Sequence, residues 1–320
     1  MRTLRLLALL LLTWTGPVNA EERFQLQTNF WVSLHQTLLD AGQNNKLAVA
    51  DGTLRDAERT VWNAAVLSYR ARYSDRMPFL DDELIRLGYA LSNAGEAIPA
   101  GFSDEITKAL ATASVIYRKY HWTEDERVSR FWITTAQALL RDAGDDLVKE
   151  HSRVYGASYP SRIRVDVAPW AGQFGAYTSI HSGNVHTTIS SRDPGYQGFA
   201  ALEMLLHEGS HAMVGAAGGQ IGPDINQKAA ERRMLAPRQL WHAVIFYTSG
   251  ELTRRALKQR GVEYVPYATR GGMWDRAFTG LYPALETYWQ SYIDGKMTRE
   301  AAIDNLVQMT GISPPPRNAP

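Results

Sequence analysis

The 320-residue chain contains no cysteine, carries a formal net charge of only +1 and has no concentrated cluster of Lys and Arg. Without cysteine there is no disulfide and no lipid-modified thiol, so stability must come from a packed core, to which a bound metal can add. Balanced charge without a basic surface argues against a nucleic-acid partner, because phosphate binding calls for concentrated Lys and Arg. Long apolar runs are equally scarce. The one that stands out opens the chain, and no later segment is long and apolar enough to span a bilayer.

What remains is ordinary globular composition, 45% hydrophobic and 21% charged, at a length that suits one large domain or two modest ones. The opening run follows Met1-Arg2-Thr3-Leu4-Arg5, continues through Leu12 and gives way to Gly16-Pro17-Val18-Asn19-Ala20. A basic start, a short apolar segment and small residues at Val18 and Ala20 describe a secretory signal peptide over residues 1–20, with processing near Ala20. The expected location is periplasmic or secreted.

From residue 21 to 155 the pattern is helical, with almost no strand signal. Phe30, Trp31, Leu34, Leu38 and Leu39 recur at the spacing of an amphipathic helix. A second helix is expected over Leu54–Arg72 with Val61, Trp62, Ala65, Val66 and Tyr69 inward, and a third over Asp81–Leu91 beyond Pro78. Ser103 can cap a fourth that runs to Tyr120. Thr123 and Glu126 have the form of a capping box for a fifth, with Phe131, Trp132, Thr135, Leu139 and Leu140 toward the core. His35, His121 and His151 have no partners at metal-binding spacing and read as structural or surface residues.

The texture changes after Gly156. Arg162–Val167 alternates like a half-buried strand, Ala176–Ile180 forms a second, and His181-Ser182-Gly183-Asn184 is a turn into a third, Val185–Ser190. Pro194 and Gly195 break that strand. A helix follows over Gln197–Val214, carrying His207-Glu208-Gly209-Ser210-His211 inside an apolar run. Two histidines four residues apart share a helix face, so two imidazoles can hold one cation while Glu208 projects beside them.

A short sheet leading directly into an H-E-x-x-H helix resembles the zincin metallopeptidases over roughly Arg162–Leu257. The resemblance implies a fold that is mainly α with a small β-sheet, the helical region 21–155 packed on a catalytic region 156–312 ahead of a proline-rich tail at 313–320. It implies one zinc ion, a peptide or protein substrate, and pairing of that substrate with an edge strand, for which Asn184–Ser190 is the matching segment. His181 and His186 flank this segment as possible contacts, with a surface role the plainer reading.

A catalytic zinc takes three protein ligands and keeps one position open. Val214 and Ala217 stand where the metzincin branch has its Gly and third His, which leaves a gluzincin-like pattern with a ligand from a later helix. Glu231, His242 and Glu251 compete for that place. Glu231 lies in a charged stretch where a salt-bridged surface is the default. His242 and Glu251 share a helix over Arg238–Arg260 but, nine residues apart, face nearly opposite ways. Glu251 is favoured because Gly250 allows close approach to the motif helix, with pairing to Arg254 and Arg255 as the alternative. His242 is the reserve ligand or a transition-state donor, and Tyr247 a second donor. Glu203, one turn before His207, is placed to hold a ligand's second nitrogen. Tyr264, Tyr267 and Arg270, in a loop after Gly261, are further candidates for oxyanion or substrate contact.

The function so implied is zinc-dependent peptide hydrolysis with Glu208 as general base. Two other readings stand beside it: a helical binding or scaffold protein with a structural metal, and a zinc hydrolase acting on a non-peptide amide or ester.

Overall fold

A computed structural model describes residues 18–47, 53–215 and 219–313. Residues 1–17 of the expected export signal and 314–320 of the proline-rich tail lie outside the described residues. The chain is mainly α with one small mixed sheet. No helix among the described residues is long and apolar enough to cross a membrane.

Helix α1 (Ala20–Arg23) starts at the Asn19 cap and leads directly into β1 (Phe24–Gln27). Helices α2 (Phe30–Gln43), α3 (Asp56–Tyr73), α4 (Asp82–Ser92) and α5 (Asp104–Tyr120) then enclose a core of their own, in which Leu34, Leu38, Val66, Tyr69, Leu87 and Leu110 are buried. Asn29, Asp81 and Ser103 cap three of these helices by accepting backbone N–H bonds, so the sequence sets their starts locally. Helix α6 (Trp122–Leu139) continues through a π turn at Leu140–Gly144 into α7 (Asp145–Tyr155), which ends on Gly156 in the left-handed region at φ 67°.

Strands β2 (Ile163–Ala168), β3 (Ala176–His181) and β4 (Asn184–Ser190) complete a sheet ordered β1-β2-β4-β3. β1, β2 and β4 run parallel; β3 is antiparallel to β4, across a tight turn with Ser182 and Gly183 at φ 48° and 78°. Helices cover both faces, which is why β4 is buried from Val185 onward rather than alternating. Helix α8 (Phe199–Val214) lies against β3 and β4, and α10 (Leu240–Gln259) lies against α8, with α9 (Ile221–Glu231) between them in sequence. Short helices α11 (Tyr267–Arg270), α12 (Met273–Arg276) and α13 (Tyr282–Ala284) follow. A π turn at Leu285–Trp289 then runs into α14 (Gln290–Ile293), and α15 (Arg299–Thr310), capped by Thr298, closes the described chain.

Several expectations need correction. β1 was not legible: four residues are too short for a periodic signal, and β1 exists because it pairs with β2, far away in sequence. Thr123 caps nothing, since α6 begins at Trp122 immediately after α5, with His121 at its N-cap. Val61 is 39% and Phe131 73% exposed, because Trp62, Trp132 and Ala136 occupy the inward stripes. The segment Asn184–Ser190 is not an edge: β4 sits between β2 and β3, and the outer strand beside α8 is β3. The buried cores also do not divide at residue 155, because Trp132, Ala136, Leu147 and Tyr155 belong to the same cluster as α8 and α10.

Candidate metal centre

Helix α8 is apolar nearly all round, so it is buried among the sheet, α7 and α10, and its few polar residues lie in the interior. His207 and His211, one turn apart, point toward α10. There they meet His242, the one ionisable residue in the buried run that opens that helix. One nitrogen from each ring lies within 4.8 Å of the other two. The His207 and His242 Nε2 atoms are 3.3 Å apart, and the three ring centroids stand 5.1–5.2 Å from one another.

This spacing suits a metal ion. Zn–N bonds of about 2.0–2.1 Å in tetrahedral geometry separate two ligand nitrogens by roughly 3.3–3.4 Å. The donors are also in the right state. Burial, followed by the fields of His211 and His242, holds His207 well below its usual value; burial and His242 lower His211 to about 3; burial lowers His242 to about 4. Neutral imidazoles keep the lone pairs that coordination needs.

The rings are fixed largely by packing. Phe246, one turn beyond His242, lies on His207 with centroids 4.0 Å apart, and Trp241 stacks on His242 at 5.1 Å while meeting His211 edge-on. The buried Nδ1 of His207 has no hydrogen-bond partner among the described residues. Its Nε2 is the nitrogen that faces His242.

Glu208 is 4% exposed, and its Oε2 accepts from the Thr178 hydroxyl of β3 at 2.7 Å while standing 3.9 Å from His211 Nε2. Burial pushes its carboxyl up to about 7 despite that hydrogen bond. Thr178 also bonds Thr187 of β4, so the outer strand, its neighbour and the acid are joined. Gly209, the third residue of the motif, has a packing role. A Cβ there would collide with the Tyr159 hydroxyl, which donates to the Leu206 carbonyl of the same helix.

The structure does not bring the other expected residues to the three histidines. Glu251 is held by Arg254 (2.8 and 2.9 Å) and Arg255 (2.6 Å), one turn further along α10. The lowering of its carboxyl by these two cations prevails over burial, the largest single influence on it. The side chain that α10 brings to His207 and His211 is instead His242, on the opposite face. Glu231 is exposed and bound to Gln227 and Lys228. The Tyr247 hydroxyl donates to Gln290, among Trp274 and Tyr282, which corrects its assignment as a donor at the site. Glu203 does not hold a histidine; it accepts from the Tyr264 hydroxyl and the Tyr267 N–H. Arg270 donates to the Gly195 carbonyl.

The remaining histidines are structural. His35 bonds Tyr69, His151 bonds the Leu147 carbonyl and Ser249, and His121 stacks on Tyr117. His186 is buried against Asp166 at 2.6 Å on the sheet face away from α8, while His181 is exposed at the hairpin. Thr178 and Phe246 were missed by sequence reading: a threonine in a β-branched run and a phenylalanine in an apolar one carry no signal of their own.

Comparison with protein-family models, with curated proteins and with solved structures finds no match to this chain.

Proposed function

We propose that this protein is an exported zinc-dependent hydrolase of the zincin type that cleaves peptide bonds. The observation that carries the reading is the meeting of three neutral imidazoles, one nitrogen of each within 4.8 Å of the others and one pair at 3.3 Å, with a buried carboxylate beside them, Glu208, that forms no ion pair with Lys or Arg among the described residues. His207, His211 and His242 would hold the metal, which when bound supplies a Lewis acid able to polarise a carbonyl and acidify water. Three protein donors leave room for that chemistry, whereas a structural zinc site closes with four.

The chain's own residues divide the remaining work. Glu208 takes the proton from the attacking water and returns it to the leaving nitrogen, and Thr178 holds that carboxylate in place. A peptide substrate is supported by β3, an outer strand adjoining α8, whose backbone can pair with an extended chain. Tyr267 takes over the donor role first given to Tyr247. Its ring lies 5.3 Å from that of Tyr196, whose hydroxyl feels burial first, then the Tyr267 phenol and Glu208. Because the Tyr196 hydroxyl already donates to the Phe174 carbonyl at 2.5 Å, Tyr267 is the phenol of the pair with a proton to offer the reacting oxygen.

The direct test is hydrolysis of fluorogenic casein by the purified protein before and after metal chelation. Activity abolished by the chelator and restored by zinc supports the reading. Activity indifferent to metal removal refutes it.

A further inference from the structure

One turn before His207, three segments meet at a single buried acid. Glu203 of α8 is 0% exposed, and among the described residues its hydrogen-bond partners all belong to the segment after α10. Its Oε2 accepts from the Tyr264 hydroxyl at 2.6 Å and from the Tyr267 N–H at 3.0 Å, while Oε1 is 3.2 Å from the same N–H. Gly250 of α10 makes the junction possible, since a Cβ there would come within 2.7 Å of Pro266 Cβ and 3.2 Å of Glu203 Oε1. An apolar pair would fill the same space without the several kcal/mol that burying a carboxylate costs. The acid therefore calls for an explanation beyond packing.

What it fixes is the backbone that carries Tyr267. From there the Tyr267 ring lies nearly parallel to Phe246, at 6.1 Å and 19°, and Phe246 in turn lies on His207. The far end of the segment is fastened separately, by Arg270 donating to the Gly195 carbonyl in the turn before α8. The segment carrying Tyr267 is thus fastened at two points, of which Glu203 is the one that lies on α8.

We infer that Glu203 is a positioning residue for the proposed hydrolysis, holding the Tyr264–Tyr267 segment on α8 so that Tyr267 stays packed on Phe246, which lies on His207. This rests on the hydrolase reading for its catalytic consequence, but the tether itself can be measured without activity. A Glu203→Gln side chain keeps the size but loses the charge that strengthens both hydrogen bonds, and puts an NH2 group where Oε1 faces the Tyr267 N–H.

The experiment measures amide hydrogen exchange, bound zinc and casein hydrolysis in Glu203→Gln, Tyr264→Phe, Tyr267→Phe and the Glu203→Gln/Tyr267→Phe double variant. Tyr264→Phe removes one donor and leaves the acid in place, which covers the case in which Glu203→Gln fails to fold. Exchange over residues 262–270 should accelerate at least tenfold in Glu203→Gln and Tyr264→Phe, with zinc content unchanged. Tyr267→Phe should lower kcat about tenfold or more with little change in KM, and adding Glu203→Gln should cost no further tenfold, because both act through one hydroxyl. Unchanged exchange overturns the tether, and losses that multiply in the double variant overturn action through Tyr267. If the unaltered protein hydrolyses nothing, the hydrolase reading fails, and exchange alone still decides whether Glu203 holds the segment.

Discussion

His207 and His242, 35 residues apart in sequence, bring their Nε2 atoms to 3.3 Å across the contact between α8 and α10. Two imidazole nitrogens this close either share the proton of one neutral ring in a hydrogen bond or share a cation, and burial keeps both rings neutral. The same separation is what two ligands of one tetrahedral metal require. From this relationship come the ligand set, the role left to Glu208 and the tests below.

Among the described residues Glu208 has no Lys or Arg holding it and a single side-chain donor, Thr178. Glu208→Gln preserves shape and hydrogen bonding but removes the base. Hydrolysis should fall about 10²- to 10⁴-fold, the range of a lost general base, with bound zinc unchanged. The check is a parallel assay of metal content and turnover; full activity in this variant contradicts the assigned role.

Gly209 is fixed by its neighbour. A methyl group added at this position meets the Tyr159 hydroxyl and comes within 2.8 Å of Ile163 Cδ1. Gly209→Ala should destabilise the fold by about 1–3 kcal/mol, the overpacking penalty prevailing over the better helix propensity of alanine. Adding Tyr159→Phe should recover part of the loss. Denaturant unfolding of the single and double variants measures both effects.

His35 and His151 make stability pH-dependent. Burial lowers them to about 3 and about 4, against 6.5 for an exposed histidine. The unfolded chain therefore binds protons that the folded chain refuses. Stability from this source is fully present above pH 6.5 and is lost as pH falls toward the folded values. Each should cost about 2 kcal/mol by pH 5. Unfolding free energies of the unaltered protein and His35→Phe, measured from pH 8 to pH 5, should converge by about that amount as pH falls; parallel curves contradict it.

The helices were legible where local chemistry sets them. Ser103 caps as its side chain suggests, and the Ser182-Gly183 turn forms the hairpin that its residues favour. β1 and the sheet order were not, because parallel pairing of Phe24–Gln27 with Ile163–Asp166 is decided by contacts about 140 residues apart. The site divides in the same way. His207, Glu208 and His211 share one turn, so their spacing shows their common face, whereas the third ligand depends on how α10 rotates against α8. Gly250 does allow the close approach read from it, but that approach admits Glu203 and Pro266. Glu251, one residue on, turns to Arg254 and Arg255, and His242, nine residues earlier on the opposite face, meets the motif.

The ligand set is open to one decisive measurement: zinc bound per chain in the purified protein, in His242→Ala and in Glu251→Ala, each after dialysis against a weak chelator. The unaltered protein and Glu251→Ala should retain one zinc, and His242→Ala should lose it. Zinc retained without His242, or lost with Glu251 alone, would contradict a centre built from His207, His211 and His242.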